Sequence, residues 1–133
     1  MKRASALSLH CPAHSRCVAP ARHALAAFLR ALEFDRHLLE DVTTAAGEAL
    51  ANIVEHAYAD GGDEADGRYL ELTAEFDGSG TLAVDVADGG SFIARHSLPG
   101  RGFGLRIIRT IAQRLTIDTA AGTRLRMVFE CKS

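Results

Sequence analysis

Apolar and polar residues alternate in several stretches of the chain, and this two-residue period predicts strands with one buried face. The stretches cover residues 6–11, 70–76, 82–86, about 116–120 and 123–129. Asp77-Gly78-Ser79-Gly80 separates the second stretch from the third and has the composition of a tight turn. Residues 70–86 therefore predict an antiparallel hairpin, and a turn containing Gly122 joins the last two strands in the same way.

Three other stretches repeat their apolar residues at helical spacing. The first helix is predicted at 18–32, and the second begins after the capping residue Asp35 and reaches about Tyr58. The third helix is predicted from the apolar residues Leu105, Ile108, Ile111, Ala112 and Leu115. This element order predicts an α+β fold of one domain, residues 1–133. It is a two-layer sandwich whose mixed, mostly antiparallel sheet is covered on one face by three helices.

Composition and charge restrict the class of protein. The chain has 133 residues, a formal net charge of -2 and no Trp, which argues against a nucleic-acid partner. No apolar run approaches the length that spans a bilayer, and His10, His14 and Arg16 interrupt the only stretch near the start that could imitate a signal peptide. An odd count of three cysteines argues against a disulfide framework. We therefore expect a cytoplasmic protein that binds neither membrane nor nucleic acid.

The first candidate for chemistry is Glu48-Ala49-Leu50-Ala51-Asn52 in the second predicted helix. A spacing of four places Glu48 and Asn52 on one face, a turn apart. That face borders the apolar stripe, so both side chains are expected at the edge of the helix–sheet interface. Taken alone, the pair is more typical of an ordinary surface Glu and Asn, because a Glu-x-x-x-Asn spacing is common by chance.

The second candidate is Asp88-Gly89-Gly90, which directly follows a predicted strand. Asp88 keeps the parity of Val84 and Val86 and is therefore expected to face the helices. A carboxylate in that position costs several kcal/mol unless it is paired, and the amino group of a ligand could pair with it. Gly90 would allow a flat ligand to approach the backbone. An ordinary Asp-Gly-Gly turn explains the same residues equally well.

The third candidate is Gly100-Arg101-Gly102-Phe103-Gly104-Leu105, which opens the third predicted helix. Unpaired amides at a helix start bind phosphate groups readily, and glycines leave them accessible. The stretch is not the dinucleotide fingerprint, because no parallel strand–loop–helix unit surrounds it. A glycine-rich loop alone is weak evidence.

A competing candidate lies near the start of the chain, where three histidines and two cysteines could suggest zinc. They are His10, Cys11, His14, Cys17 and His23. Their spacing matches no common structural zinc site. We interpret Cys11 and Cys17 as small buried apolar residues, with metal binding as the minority alternative.

Taken in this order, the three polar places resemble the nucleotide-binding fold of the GHKL ATPases, which includes gyrase and the histidine kinases. The resemblance covers nearly the whole chain. The stretch 41–58, with Glu48, Asn52 and His56-Ala57-Tyr58, is most similar to the anti-sigma-factor serine/threonine kinases, as is the ending Gly122-Thr123-Arg124-Leu125-Arg126.

The resemblance implies a role for each candidate residue. Asn52 would bind Mg²⁺ through its side-chain oxygen, and Glu48 would act as the general base on a serine hydroxyl. Asp88 would accept a hydrogen bond from the adenine amino group of ATP. The remaining residues implied in nucleotide binding are Gly90 beside the ring, Thr123 in the Asp88 network, and Gly100, Gly102, Gly104 and Leu105 near the phosphates.

Three functions remain open at this point. The resemblance implies a kinase that phosphorylates an anti-sigma-factor antagonist, forms a homodimer and has a sigma factor as a further partner. Phe92 stands where the family usually has a second glycine and the segment from Phe92 to Gly100 is short, so a nucleotide-gated switch with little kinase activity is the alternative. A detached histidine-kinase domain ranks last, because no helical segment with a phosphoacceptor histidine is present.

Overall fold

The computed structural model describes residues 3–12, 14–59, 69–88, 103–118 and 123–131, with only the backbone at 56–59 and 103–104. The described residues form three helices: α1 (Val18–Ala31), α2 (Arg36–Ala59) and α3 (Phe103–Ile111). The strands are β1 (Ser5–Pro12), β2 (Tyr69–Phe76), β3 (Thr81–Asp88), β4 (Arg114–Asp118) and β5 (Arg124–Glu130). A short 3-10 turn at Ser15–Cys17 leads from β1 into α1.

The five strands form one sheet in the order β1-β2-β3-β5-β4, and each neighbouring pair is antiparallel. The α+β prediction is confirmed, but the described strands form a purely antiparallel sheet and not a mixed one. Because the antiparallel helices α1 and α2 connect β1 to β2, β2 runs antiparallel to β1. β3 and β4 point the same way, because a single helix joins them. However, β5 lies between these two strands and pairs antiparallel with both.

The core lies between the sheet and the helices, and the predicted periodicities identify it correctly. The inward residues of β2 alternate with polar ones and are buried, as are those of β3 and β5. The side chains of Leu50 and Ile53 on α2 are buried against this face, as are Leu25 and Leu29 on α1. Asp35 caps α2 as predicted, because its Oδ1 accepts the backbone N–H of Leu38 at 2.8 Å.

The boundary between α3 and β4 differs from the prediction. Leu115, assigned to the third helix by its spacing, belongs to β4, which begins at Arg114. The N–H of Gln113 donates to the carbonyl of Val128 on β5 at 2.8 Å. Pairing with β5 satisfies the backbone hydrogen-bonding groups of these residues, and it competes with continuation of the helix. Apolar spacing alone cannot reveal this competition. Helix α3 therefore ends at Ile111.

Cys11 and Cys17 pack against the core but are only half-buried, so their interpretation as small buried apolar residues is confirmed in part. Both contact the core from its margin, because β1 is an edge strand and the 3-10 turn lies at the periphery. Burial is the largest cause of the rise in the pKa of the Cys11 thiol to about 11. A hydrogen bond and a charge interaction with Cys17 also contribute to this rise in pKa. Among the described residues, no group of three His, Cys, Asp or Glu side chains is arranged to hold a metal ion. No described helix has the length and apolar character required to cross a membrane.

Candidate functional site

Polar side chains are rare in the described core, and the three that occur there are all residues singled out from the sequence. Asn52 is 7% exposed, Asp88 is 4% exposed and Thr123 is 2% exposed. Burial of a polar group costs free energy unless a hydrogen bond compensates it. Their location in the molecule therefore requires an explanation beyond apolar packing.

Asp88 and Thr123 are neighbours at one end of the sheet. Asp88 is the last residue of β3, and Thr123 immediately precedes β5. The backbone N–H of Asp88 donates to the carbonyl of Thr123 at 2.9 Å, which closes the β3–β5 ladder at this point. Asp88 faces the helices, as the strand parity predicted.

Asn52 reaches the same end of the sheet along α2. The start of α2 lies beside the end of β5, because Asp35 and Leu38 line one cleft with Phe129 and Glu130. From Leu38, Asn52 lies about 21 Å further along the helix, at about 1.5 Å per residue. Thr123 lies about 24 Å back along β5 from Glu130, at about 3.4 Å per residue. The two nearly equal lengths bring Asn52 to the end of the sheet that holds Asp88 and Thr123.

The start of α3 is directed to that end as well. Ile111, its last residue, lines the cleft beside Phe129 and Glu130 at the opposite end of the sheet. The helix therefore runs away from the Asp88 end, and its first turn lies toward that end. Leu105 in the first turn is 9% exposed and packs in the core, and Gly104 belongs to the same turn.

Two of the buried polar groups have no hydrogen-bond partner within the described parts of the chain. They are Nδ2 of Asn52 and the hydroxyl Oγ1 of Thr123. An unsatisfied buried donor or hydroxyl costs about 1–3 kcal/mol. Such groups suit a polar ligand with nearby acceptors, while the Asp88 carboxylate suits a ligand amino group. The residues present therefore fit a nucleotide, and the Asn52 side-chain oxygen is the kind of hard ligand that Mg²⁺ prefers.

Glu48 lies one turn before Asn52 on α2 and is half-buried, so it is partly accessible to solvent at the edge of the core. The preceding residue, Gly47, is buried under Arg22 of α1. A Cβ atom at Gly47 would lie 3.1 Å from Cδ and 3.3 Å from Nη1 of Arg22. The guanidinium therefore lies over the α2 backbone next to Glu48. The sequence analysis did not single out Arg22, although Gly47, a glycine inside a long helix, was a usable signal.

The other proposed ligand-binding residues, Gly90, Gly100 and Gly102, lie outside the described residues, as does Phe92. The segment that contains them joins the end of β3 to the start of α3, and both of these points belong to the Asp88 end of the sheet.

Comparison with known proteins identifies the family. The model of the histidine kinase-like ATPase domain matches residues 11–129. An anti-sigma F factor of Clostridium novyi is 30% identical over 125 residues, covering 85% of each chain. In structure, the chain is similar to a Mycobacterium tuberculosis chain with RsbU and RsbW domains, with a TM-score of 0.73 and 21% identity. That match covers 96% of this chain but only 32% of the other.

A second solved structure, the SiaB–SiaC complex of Pseudomonas aeruginosa, matches with a TM-score of 0.72 and 19% identity, covering 92% of this chain and 88% of that one. The two structural matches support the fold, and the sequence matches extend over most of the chain. A family of this kind implies ATP binding. By these sequence matches and its fold, the chain belongs to the histidine kinase-like ATPase domain family.

Proposed function

We propose that this chain is a cytoplasmic anti-sigma regulatory protein that uses ATP to phosphorylate a serine on a small antagonist protein. The observation that carries the proposal is the pair of buried, unsatisfied groups, Asn52 Nδ2 and Thr123 Oγ1, at the end of the sheet where Asp88 lies. Similarity to an anti-sigma F factor supports the regulatory setting. In this proposal the protein acts as a homodimer, and a sigma factor is a second partner.

Each residue has a separate task in the proposed site. The Asp88 carboxylate accepts a hydrogen bond from the adenine amino group, and the Thr123 hydroxyl supports the same contact. Asn52 holds Mg²⁺ through its side-chain oxygen, and Mg²⁺ would supply charge neutralisation at the phosphates. Gly90, Gly100, Gly102, Gly104 and Leu105 complete the nucleotide-binding surface.

Glu48 has the catalytic task. Its half-buried carboxylate lies one turn from Asn52, and it accepts the proton of the attacking serine hydroxyl. Because a general base acts only when that proton leaves, Glu48 is needed for turnover and not for ATP binding. A metal ligand, in contrast, contributes to the bound ground state as well.

The two tasks are separated by comparing wild type, Glu48→Gln and Asn52→Ala in the same assays. We expect Glu48→Gln to bind ATP as wild type does but to phosphorylate its antagonist about 10²–10⁴-fold more slowly. Asn52→Ala should lose both nucleotide affinity and activity. Calorimetry with ATP and Mg²⁺ measures binding, and transfer of labelled phosphate measures activity.

Three results would each contradict part or all of this proposal. If wild type binds ATP and an antagonist but never transfers phosphate, the nucleotide-gated switch is the correct function. If Glu48→Gln is as active as wild type, the protein is a kinase with another base. A millimolar dissociation constant corresponds to a standard binding free energy of about −4 kcal/mol. If wild type releases no binding heat even with millimolar nucleotide, both the kinase and the switch are wrong.

A further inference from the structure

Two of the three cysteines lie together at the end of the sheet that holds Asp88. Cys11 is the last but one residue of β1, and Cys17 lies at the N-cap of α1. The thiols of these two residues are joined by a hydrogen bond, and neither is part of a disulfide. A disulfide needs two sulfur atoms that can approach to about 2.05 Å. Thiols that are already in contact across a short loop are therefore well placed to form one.

The backbone between the two cysteines holds this contact in place. The N–H of His14 donates to the carbonyl of Pro12 at 2.8 Å, and the N–H of Cys17 donates to the carbonyl of His14 at 2.9 Å. These bonds turn the chain back after β1. Cys11 and Cys17 also both pack against the margin of the core. The contact between the thiols is therefore built into the connection from β1 to α1.

The third cysteine, Cys131, differs from this pair in exposure and in position. Cys11 and Cys17 are half-buried, whereas Cys131 is 6% exposed. The N–H of Cys131 donates to the carbonyl of Gly80, directly before β3, whereas Cys11 lies in register with the far end of that strand. The length of β3, about 24 Å at about 3.4 Å per residue, separates the two places. A small oxidant can therefore reach the pair more easily than it can reach Cys131.

We propose that Cys11 and Cys17 form a redox site, at which a peroxide produces a reversible disulfide between the end of β1 and the start of α1. The site uses none of the residues assigned to ATP or to the antagonist. It therefore adds a second chemistry to the chain and does not depend on the proposed kinase.

The reaction has two steps. In the first, the sulfur of Cys17 attacks one oxygen of hydrogen peroxide, the O–O bond breaks, and Cys17 becomes a sulfenic acid while the other oxygen leaves as water. In the second, the sulfur of Cys11 displaces the sulfenic hydroxyl, which leaves as water with the Cys11 thiol proton. The two thiols together lose two electrons, and the peroxide accepts them.

The surroundings of the two sulfur atoms determine this order. Burial, more than contact with Cys17, raises the pKa of Cys11 to about 11. Cys11 therefore keeps its proton at neutral pH, and a protonated thiol is a weak nucleophile. Cys17 lies at the N-cap of α1, where the helix dipole favours negative charge. Cys17 is thus the attacking thiol, and Cys11 completes the disulfide.

The disulfide has a defined effect on the fold. It ties the edge strand β1 to α1 and closes a short loop, which restricts the unfolded chain. Cys11 is directly across from Leu70, and Leu70 is directly across from Asp88, so the link lies two strands from Asp88. We expect the oxidised protein to unfold about 5 °C above the reduced protein. A thiol reductant should reverse the shift.

The test is a linkage map of the full wild-type chain after treatment with hydrogen peroxide and alkylation of the remaining thiols. Trypsin cleaves between Arg16 and Cys17, which places Cys11 in the peptide 4–16 and Cys17 in the peptide 17–22. We expect these two peptides to be recovered as one linked species that dithiothreitol separates. Thermal unfolding of the same samples measures the shift in midpoint.

Single substitutions separate the two steps. Cys11→Ser removes the second thiol, so Cys17 should accumulate as a sulfenic acid that dimedone labels. Cys17→Ser should leave Cys11 unlabelled and abolish both the link and the shift in midpoint. Cys131→Ser is the matched control, because it makes the same change at the buried cysteine and should preserve both. In wild type, Cys131 should react at least about tenfold more slowly than Cys17.

Three outcomes would overturn the proposal. The first is recovery of both peptides with their thiols still alkylated after treatment with millimolar peroxide. The second is a link that joins Cys131 or two separate chains in place of Cys11 and Cys17. The third is an equal shift in midpoint in wild type and Cys17→Ser. The wild-type map needs no variant to fold, and loss of ATP binding would contradict only the proposed function.

Discussion

The two ends of the sheet satisfy their polar groups in opposite ways. At the end formed by the β2–β3 turn, Oδ1 of Asp77 accepts the backbone N–H groups of Ser79, Gly80 and Thr81 at 2.8, 3.0 and 3.0 Å. The nearby start of α2 is capped by Asp35 in the same manner. Each of these carboxylates has its partners within the chain.

At the other end, Asn52 Nδ2 and Thr123 Oγ1 are buried and have no partner among the described residues. A folded chain gains nothing from such groups unless a ligand completes their hydrogen bonds. One end of the sheet therefore contributes stability, whereas the unsatisfied polar groups at the other end lower the stability of the ligand-free protein. Carboxylates at the two ends should therefore respond differently to the same substitution.

The largest expected effect compares Asp88→Asn with Asp77→Asn. The first removes the charged acceptor proposed for the adenine amino group, and hydrogen bonds to charged groups contribute about 1.5–3 kcal/mol. We expect ATP affinity to fall about 10- to 150-fold, as measured by calorimetry. Asp77→Asn makes the same chemical change at the other end and should leave ATP affinity unaltered. Equal losses in the two variants would contradict the difference between the ends.

Thr123→Val should stabilise the ligand-free protein while weakening its response to ATP. Valine keeps the shape of threonine and removes a buried hydroxyl that has no described partner, so the free energy of unfolding should rise by about 1 kcal/mol. Urea unfolding with and without ATP measures both effects. Thr43→Val is the matched control, because the Thr43 hydroxyl donates to the carbonyl of Leu39 at 2.9 Å and its removal should give no gain.

Asp35→Ala should destabilise the protein without changing ATP affinity. The substitution removes the carboxylate that accepts the N–H of Leu38, and loss of a helix N-cap costs about 1 kcal/mol. A lower thermal midpoint with an unchanged binding isotherm is the expected result. Glu40→Ala is the control, since its exposed ion pair with Arg36 at 3.3 Å should contribute little. A change in ATP affinity in Asp35→Ala would mean that the two ends are coupled.

The smallest expected effect is a pH dependence at the β2–β3 turn. Hydrogen bonds from the backbone of Ser79 and Thr81 lower the pKa of Asp77 from its ordinary value of 3.8 to about 2. A lowered pKa in the folded state stabilises the protein above the unfolded value, and this contribution is lost as pH falls toward 2. The difference in thermal midpoint between wild type and Asp77→Asn should therefore shrink between about pH 4 and 2. A constant difference would show that the charge is not responsible.

Much of the fold could be predicted because helix and strand periods are local properties. The buried faces of α2, β2 and β3 follow from apolar spacing alone, and the Asp35 cap follows from residue type and position. Asp88 was placed on the buried face by parity, since a strand alternates its side chains strictly. The candidate site could be named from the sequence mainly because its polar residues interrupt these regular patterns.

Other features depend on contacts between distant residues and could not be predicted in this way. The end of α3 at Ile111 depends on β5 offering hydrogen bonds to the residues that follow. Arg22 reaches α2 because Gly47 leaves space for it, which requires the two helices to be packed. The half-burial of Cys11 reflects an edge strand, and no local pattern reveals which strand will be at the edge.

The sequence by itself determined the elements, their buried faces and the chemical types available at the site. Only the tertiary structure decided that Asp88 lies beside Thr123 and that Asn52 reaches the same end of the sheet. Asp85 and Arg126, 41 residues apart in the chain, meet only because β5 inserts between β3 and β4. Side-chain period is set by the backbone of one segment, whereas strand order is set by the free energy of the whole folded chain.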